Sequence, residues 1–253
     1  MTAMLASVSS LAEAKLVADC ADVIDLKDAH AGALGAVTLE RVRDVVRWSA
    51  GRFTLSAALG DLPMRPNAIA AAASAMACTG VDAVKIGLFD VRGSAACMRA
   101  AATGAGRARL VAVMFADRSP DLALLDEVAA ARFAGAMLDT ADKRSGTLLD
   151  CLGVPALRAF VARGHALGLF VGLAGSLHAD DVATLLPCDP DFLGFRGAIC
   201  ARHARTGRVS RRRAQALAAR FVGRDLRKSP IDRLRARRDA RAGFAEATAV
   251  VSA

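Results

Sequence analysis

The sequence predicts an α/β fold, a single (β/α)8 TIM barrel that carries a basic C-terminal extension. Short apolar runs recur eight times along the chain. A polar turn follows each run, and an alanine-rich amphipathic stretch follows the turn. The length of 253 residues is also common for one α/β barrel. An open doubly wound sheet is the rival architecture, but it needs fewer strands and a glycine-rich first turn, which the segment MLASVSS lacks.

Each apolar run has the length and composition of a strand bounded by turns. In chain order the predicted strands are Met4 to Val8, Asp22 to Leu26, Phe53 to Leu59, Ala83 to Leu88, Leu110 to Phe115, Gly135 to Leu138, Gly168 to Ala174 and Phe192 to Phe195. The segments between them repeat apolar residues at three and four positions, as in LERVRDVVRWSA, LALLDEVAAARF and PALRAFVARGHA, and are predicted helices. The eighth helix pattern, RRRAQALAARFV, ends before residue 224.

Positive charge is concentrated towards the C-terminal end of the chain. Residues 202–241 hold 15 of the 34 lysines and arginines and only three acids, whereas residues 1–201 are nearly neutral. We therefore predict a catalytic barrel domain over residues 1–223 and a basic tail over residues 224–253 that is partly disordered or docked on a neighbour. A nucleic-acid role for the tail is the alternative. We favour a solvated extension, because the whole chain prefers arginine.

The composition describes a globular chain, with 54% hydrophobic and 23% charged residues. No apolar run approaches the ~20 residues of a membrane span. The N-terminus, MTAMLASVSSLAEAKL, lacks the basic stretch and apolar core of a secretory signal, so we expect a cytoplasmic protein without a membrane partner. The six cysteines form no CxxC pair and have no histidine at ligand spacing. Buried reduced thiols are therefore expected, and no metal site.

Lysine is rare in this chain, and its placement is informative. Only five of the 34 basic residues are lysines, and Lys27, Lys85 and Lys143 lie within or just after predicted strands. An arginine can neither form an imine nor lose a proton near neutral pH, so lysines at these places predict amine chemistry. Burying an idle ammonium is costly, which strengthens the prediction for Lys27 and Lys85. Lys143 lies in the loop DTADKRSG, where a solvated surface lysine is almost as good an interpretation.

Carboxylates accompany these lysines at the predicted strand ends. In a (β/α)8 barrel the catalytic groups project from the C-terminal ends of the strands and from the loops that follow. Asp25 and Asp139 end strands two and six, and Asp61 and Asp117 follow strands three and five. Asp25 and Lys27 are two residues apart, so both can face the barrel interior as an ion pair. A single strand-end aspartate can equally cap a helix, and no role is predicted for Asp61 or Asp117.

Two small-residue turns follow strands seven and eight, where barrels often bind phosphate. The first contains Gly175 and Ser176, and the second contains Arg196 and Gly197. Glycines let backbone N–H groups approach an anion, and a guanidinium can add a bidentate contact. The plainer interpretation is that the glycines only permit tight turns. Because both turns lie opposite the lysines, we predict a site for a substrate phosphate.

Six runs of the sequence resemble, in order and spacing, the (5-formylfuran-3-yl)methyl phosphate synthases of methanofuran biosynthesis, also called 4-(hydroxymethyl)-2-furancarboxaldehyde-phosphate synthases. The runs are VIDLKDAHAGALGA, SAALGDLP, AVKIGLF, GAMLDTADKRSGTLLD, GLAGSL and GFRGAIC, and the resemblance covers residues 4 to about 215. It implies a lyase of one-carbon metabolism that condenses two molecules of glyceraldehyde 3-phosphate with loss of phosphate and water. The implied strategy is that of class I aldolases, a Schiff base without a metal or cofactor.

The resemblance also implies roles for individual residues. The Schiff-base lysine falls on Lys27, the proton-transfer lysine on Lys85, the supporting carboxylates on Asp25 and Asp139, and a further lysine on Lys143. The implied partners are a phosphorylated triose and further copies of the same chain in a homo-oligomer. Two alternatives stay open. One is another lysine-dependent phosphosugar aldolase or transaldolase, which would share the imine but release no inorganic phosphate. The other is a non-enzymatic nucleic-acid-binding protein that uses the basic tail.

Overall fold

The computed structural model describes residues 2–142 and 146–221, in which strands and helices alternate. The strands are β1 (Ala3–Val8), β2 (Val23–Leu26), β3 (Thr54–Ala58), β4 (Ala83–Gly87), β5 (Arg109–Phe115), β6 (Gly135–Asp139), β7 (Phe170–Leu173) and β8 (Phe192–Phe195). The α-helices are α1 (Leu11–Val17), α2 (Leu39–Ser49), α3 (Pro66–Ala77), α4 (Val91–Gly104), α5 (Leu124–Ala130), α6 (Leu148–Cys151), α7 (Val154–Ala166), α8 (Asp181–Leu185) and α9 (Arg211–Ala218).

The eight strands form a closed parallel barrel in sequence order, with β1 paired to β8. This confirms the predicted (β/α)8 fold and excludes the open sheet. Seven strands match their predicted runs to within about one residue at each end. Strand β7 begins two residues later than predicted, because Gly168 adopts φ +72° and belongs to the turn that ends α7.

Local sequence signals explain where several helices begin. The Ser10 hydroxyl accepts the backbone N–H of Glu13 at the start of α1, and Ser210 caps α9 in the same way. Thr147 and Asp150 form a reciprocal capping box at the start of α6. Proline stands in the first turn of α3 and of α7, where its missing N–H leaves no donor unsatisfied.

The core has two layers. The larger lies between the barrel and the surrounding helices, and the smaller fills the barrel interior with side chains that include Leu5, Val113, Met137 and Phe192. A Cβ atom on Gly172 would lie 2.0 Å from the Phe192 ring. Glycine at this position therefore lets a large aromatic ring fill the barrel beneath the strand ends.

Three aspartates bind the backbone at the N-terminal end of the barrel. Asp22, Asp82 and Asp191 immediately precede β2, β4 and β8. Their Oδ2 atoms accept the backbone N–H groups of Met4, Leu55 and Val171 at 2.7 to 2.8 Å, each on an adjacent strand. These contacts join neighbouring strands at the end of the barrel that lies opposite the predicted site.

Outside the site, the structure bears on several further predictions. Cys20, Cys97, Cys188 and Cys200 are buried free thiols as predicted, whereas Cys78 is exposed and Cys151 is half-buried. Helix α9 occupies the predicted eighth helix pattern, and the proposed tail, residues 224–253, lies outside the described residues. No helix in the described ranges is both long and apolar enough to cross a membrane.

Candidate active site

Four polar side chains meet inside the C-terminal half of the barrel. Asp25 and Lys85 lie in β2 and β4, Asp139 is the last residue of β6, and Lys27 follows β2 directly. Each is at most 9% exposed. They are the predicted catalytic residues other than Lys143, which lies outside the described residues. Strands from three parts of the chain therefore bring these amines and carboxylates together.

Asp25 and Lys85 form the deeper of two ion pairs. Asp25 Oδ2 lies 2.5 Å from Lys85 Nζ, and the carboxylate is fully buried. The hydroxyls of Ser7 and Ser56 donate to Oδ2 and Oδ1 over 2.9 and 2.7 Å. Both serines sit level with Asp25 on the flanking strands β1 and β3. Neither serine was predicted from the sequence, although both lie on predicted strands that flank the strand of Asp25.

Lys27 and Asp139 form the second ion pair, nearer to solvent. Lys27 Nζ lies 3.0 Å from Asp139 Oδ2, and 11% of the Lys27 side chain is exposed. The other oxygen, Asp139 Oδ1, accepts the backbone N–H of Thr140 over 2.8 Å. The predicted pairing of Asp25 with Lys27 is therefore wrong. Lys27 lies above the end of β2, level with the end of β6, whereas Asp25 lies lower and reaches β4.

The two lysines differ in their electrostatic surroundings. Burial lowers the pKa of Lys85, and the positive charge of Lys27 lowers it further, while Asp25 opposes the shift. The neutral amine of Lys85 is thereby favoured relative to an ordinary lysine. Lys85 is therefore suited to exchanging protons, whereas the more exposed Lys27 is easier for a substrate carbon to reach.

Asp61 and Asp117 fasten the loops that surround the lysines. The Asp61 carboxylate accepts the backbone N–H groups of Ala33 and Leu34, in the loop that follows Lys27, over 2.9 and 2.7 Å. Asp117 accepts those of residues 141 and 142, in the loop that follows Asp139, over 2.7 Å each. Both aspartates therefore position loops that begin at an ion-paired residue.

A cavity of about 320 Å³ opens above the ion pairs. Its lining includes both lysines and Asp139, whereas Asp25 lies beneath it. The four predicted phosphate residues, Gly175, Ser176, Arg196 and Gly197, line the same cavity. The structure thus brings the predicted amine site and the predicted phosphate site to one opening.

The turn after β7 brings the backbone close to the β6 strand end. Gly175 has φ +115°, and a Cβ atom there would lie 3.0 Å from Thr140 Cγ2 and 3.2 Å from its backbone nitrogen. Ser176 also has a positive φ, of +51°. Within residues 2–142 and 146–221, the backbone N–H groups of Ser176, Leu177 and Gly197 donate to no protein acceptor. These groups remain able to bind an anion in the cavity.

Arg196 has protein partners for its whole guanidinium group. Its Nη atoms bind the Glu13 carboxylate over 2.5 and 3.0 Å. Its remaining donors bind the backbone oxygens of Ser7, Arg205 and Gly207. Contact between Arg196 and a phosphate stays a prediction, and it would require Arg196 to give up one of these bonds. Glu13 was missed in the sequence because it lies in a helix rather than at a strand end.

The fold and the site together define a (β/α)8-barrel enzyme with a lysine-centred cavity at the C-terminal ends of its strands. The fold is shared with phosphoribosyl anthranilate isomerase from Thermus thermophilus. That structure superposes with a TM-score of 0.63 at 16% identity, covering 87% of this chain and 98% of that one. At this level of identity the likeness concerns the fold alone.

The sequence comparisons identify the family. The sequence model of the 4-HFC-P synthase family matches residues 4–218, and the chain belongs to this family. A candidate (5-formylfuran-3-yl)methyl phosphate synthase of Methylorubrum extorquens is 43% identical over 204 residues, or 80% of this chain and 84% of that protein. The (5-formylfuran-3-yl)methyl phosphate synthase of Methanopyrus kandleri is 34% identical over 215 residues, or 78% and 91%.

The candidate site consists of amines, carboxylates and backbone donors. No group of three or more His, Cys, Asp or Glu side chains in the described residues is arranged to hold a metal ion. Each ammonium group in the site is adjacent to one carboxylate. Such an arrangement can form an imine, stabilise its positive charge and move protons beside it.

Proposed function

We propose that this enzyme condenses two molecules of glyceraldehyde 3-phosphate to (5-formylfuran-3-yl)methyl phosphate through an imine on Lys27. The observation that carries the proposal is the pair of lysines, each next to its own aspartate, at one cavity. Membership of the 4-HFC-P synthase family supports the choice of product. Chemical balance requires the two trioses to lose one phosphate and two molecules of water.

Lys27 is the proposed nucleophile. Its neutral amine attacks the aldehyde carbon of the first triose, and loss of water from the adduct gives an iminium ion. Asp139 Oδ2, 3.0 Å from Lys27 Nζ, stabilises the positive charge on that nitrogen. Lys27 is chosen over Lys85 because 11% of its side chain is exposed, against 4% for Lys85.

Lys85 is the proposed proton-transfer group. In its neutral form it takes a proton from C2 of the iminium, and the enamine that forms expels the phosphate from C3 of the same triose. The second triose, deprotonated at its own C2, can then add through that carbon to the C3 that lost the phosphate. The ammonium that forms can return the proton to an oxygen that leaves or becomes a hydroxyl. Asp25, held by Ser7 and Ser56, stabilises this ammonium and fixes its position.

The turns after β7 and β8 are the proposed phosphate site. The backbone N–H groups of Ser176, Leu177 and Gly197, which line the cavity and have no acceptor among the described residues, support this role. Gly175, at φ +115°, lets the first turn pass close to Thr140. Arg196 belongs to this site as the residue that fixes the second turn through Glu13 and three backbone oxygens.

The test is to incubate the purified protein with glyceraldehyde 3-phosphate alone. The proposal predicts an ultraviolet-absorbing furan aldehyde together with one inorganic phosphate per product. Lys27→Arg is the matched control, because it keeps the positive charge but cannot form an imine. An imine without phosphate release would instead favour an aldolase or transaldolase. If neither product nor imine forms and the protein binds polyanions tightly, the result would favour the nucleic-acid alternative.

A further inference from the structure

Arg205 lines the cavity, and among the described residues its guanidinium has a single hydrogen-bond partner. It lies after β8, in the loop that leads to α9, and lines the same cavity as Lys27 and Gly175. One of its N–H groups donates to the backbone oxygen of Gly32 over 2.9 Å. In the parts of the chain that the structure describes, its guanidinium has no other hydrogen bond and no ion pair. A guanidinium has five N–H donors, so most of this group is available to a ligand.

The charged groups around Arg205 have other partners as well. Burial lowers the pKa of Arg205, and nearby Arg196 lowers it further, while Asp139, Asp61 and Asp28 oppose the shift. Asp139 already binds Lys27, and Asp61 already binds two backbone N–H groups. Arg205 is thus a half-buried cation near carboxylates that have other partners. A phosphate would satisfy its free donors in a planar, bidentate arrangement.

Arg196 holds the backbone of Arg205 in place. Arg196 Nε donates to the Arg205 backbone oxygen over 2.8 Å, and Glu13 fixes Arg196 in turn. The Arg205 side chain then crosses to Gly32, in the loop after Lys27, which Asp61 fastens from the other side. Both arginines line the cavity, but their roles differ. All five donors of Arg196 bind the protein and position the loop, whereas Arg205 has one such bond among the described residues.

We propose that Arg205 binds the phosphate of a triose substrate and selects phosphorylated over unphosphorylated trioses. This inference deepens the proposed function and rests on it for the identity of the substrate. The guanidinium supplies the positive charge. The N–H groups of the turns after β7 and β8 that have no acceptor in the described parts of the chain supply further donors to the phosphate oxygens.

Glycerol 3-phosphate tests the proposal separately from the chemistry, because it has a phosphate but no carbonyl and cannot form an imine. Its affinity is measured by calorimetry for the wild type, Arg205→Ala, Arg205→Lys and Arg208→Ala, with glycerol as the ligand control. Arg208 is the matched control, since it is an exposed arginine of the same loop. Circular dichroism checks that each variant is folded.

The proposal predicts that Arg205→Ala weakens glycerol 3-phosphate binding by roughly 10- to 150-fold, the usual effect of one charge-assisted hydrogen-bonded contact. Arg205→Lys should recover part of the affinity, because a point charge remains. Arg208→Ala should match the wild type. Wild-type affinity in Arg205→Ala, or equal losses in both alanine variants, would overturn the proposal. A wild type that binds glycerol 3-phosphate through Arg205 but makes no furan would contradict only the proposed condensation.

Discussion

Aspartates stand at both ends of this barrel, and their partners differ. At the N-terminal end, Asp22, Asp82 and Asp191 accept backbone N–H groups from neighbouring strands. At the C-terminal end, Asp25 and Asp139 lie against the ammonium groups of lysines. The first set completes the hydrogen bonding of the sheet. The second set holds the two amines that line the cavity.

The two sets of aspartates bear on different properties of the protein, the first on its stability and the second on the reactivity of the amines. A carboxylate that accepts a backbone N–H satisfies a donor that every strand must satisfy. A buried ion pair often gains no stability over an apolar pair of the same size, because both ions lose their hydration. Lys27 and Lys85 are thus poor choices for holding a barrel together. Their presence together at one end supports the proposed amine chemistry.

The largest contrast is expected between Asp25→Ala and Asp82→Ala. Asp25→Ala removes the partner of Lys85 and should lower kcat by roughly 10²- to 10⁴-fold, the usual contribution of positioned proton transfer. Asp82→Ala removes the acceptor of the Leu55 N–H and should cost about 1–3 kcal/mol in the free energy of unfolding, with kcat retained. Steady-state kinetics and urea denaturation measure both. Equal effects of the two variants on kcat would contradict the division between the ends.

The next largest effect concerns pH and Lys85. Its pKa is lowered in the folded state, so the unfolded chain binds more protons between that pKa and the ordinary value of about 10.4. The free energy of unfolding of the wild type should therefore rise with pH through this window, relative to Lys85→Met, and level off above it. Urea denaturation of both proteins across the alkaline range measures the difference. Parallel curves would show that burial does not disfavour the ammonium.

A smaller effect is expected when the loops of the C-terminal end are loosened. Asp61→Ala leaves two backbone N–H groups without their acceptor and should cost about 1–3 kcal/mol in the free energy of unfolding. Because the loop also follows Lys27, KM should rise as well. Asp61→Asn keeps one acceptor oxygen and should show an intermediate loss. A KM that does not change in either variant would mean that the loop does not position the site.

The smallest effect is expected from removal of residues 224–253. The last described helix, α9, ends at Ala218, and the barrel is closed without the tail. The truncated protein should stay soluble and keep wild-type kcat and KM. Insolubility or loss of activity would show that the tail docks on the barrel or on a second copy of the chain. Retained activity with weaker binding to polyanions would give the tail a separate role.

The barrel could be predicted from sequence because each strand is a short apolar run between polar turns. The periodicity of the helices separates them from the strands. The amines could be predicted because lysine is rare in this chain and stands at strand ends. Each of these signals is contained in one short stretch of sequence. It can therefore be recognised without knowing which distant parts of the chain are in contact.

The pairing within the site could not be predicted, because it depends on contacts across the barrel. Lys27 lies 112 residues before its partner Asp139, whereas Asp25 is only two residues away in sequence. Only the closed barrel shows that Asp25 reaches β4 instead. Arg205 could not be predicted from the sequence for a different reason. It stands in a segment rich in arginine, where one position does not differ from the next until the cavity is known.

The most direct measurement of the central claim is reductive trapping. Borohydride is added while the enzyme turns over glyceraldehyde 3-phosphate, and the modified peptide is identified by mass spectrometry. We expect an adduct on Lys27, because Lys27 is the more exposed of the two amines and lies beside Asp139. The adduct should be absent in Lys27→Arg and should still form, more slowly, in Lys85→Met. An adduct on Lys85, or none on either lysine, would contradict it.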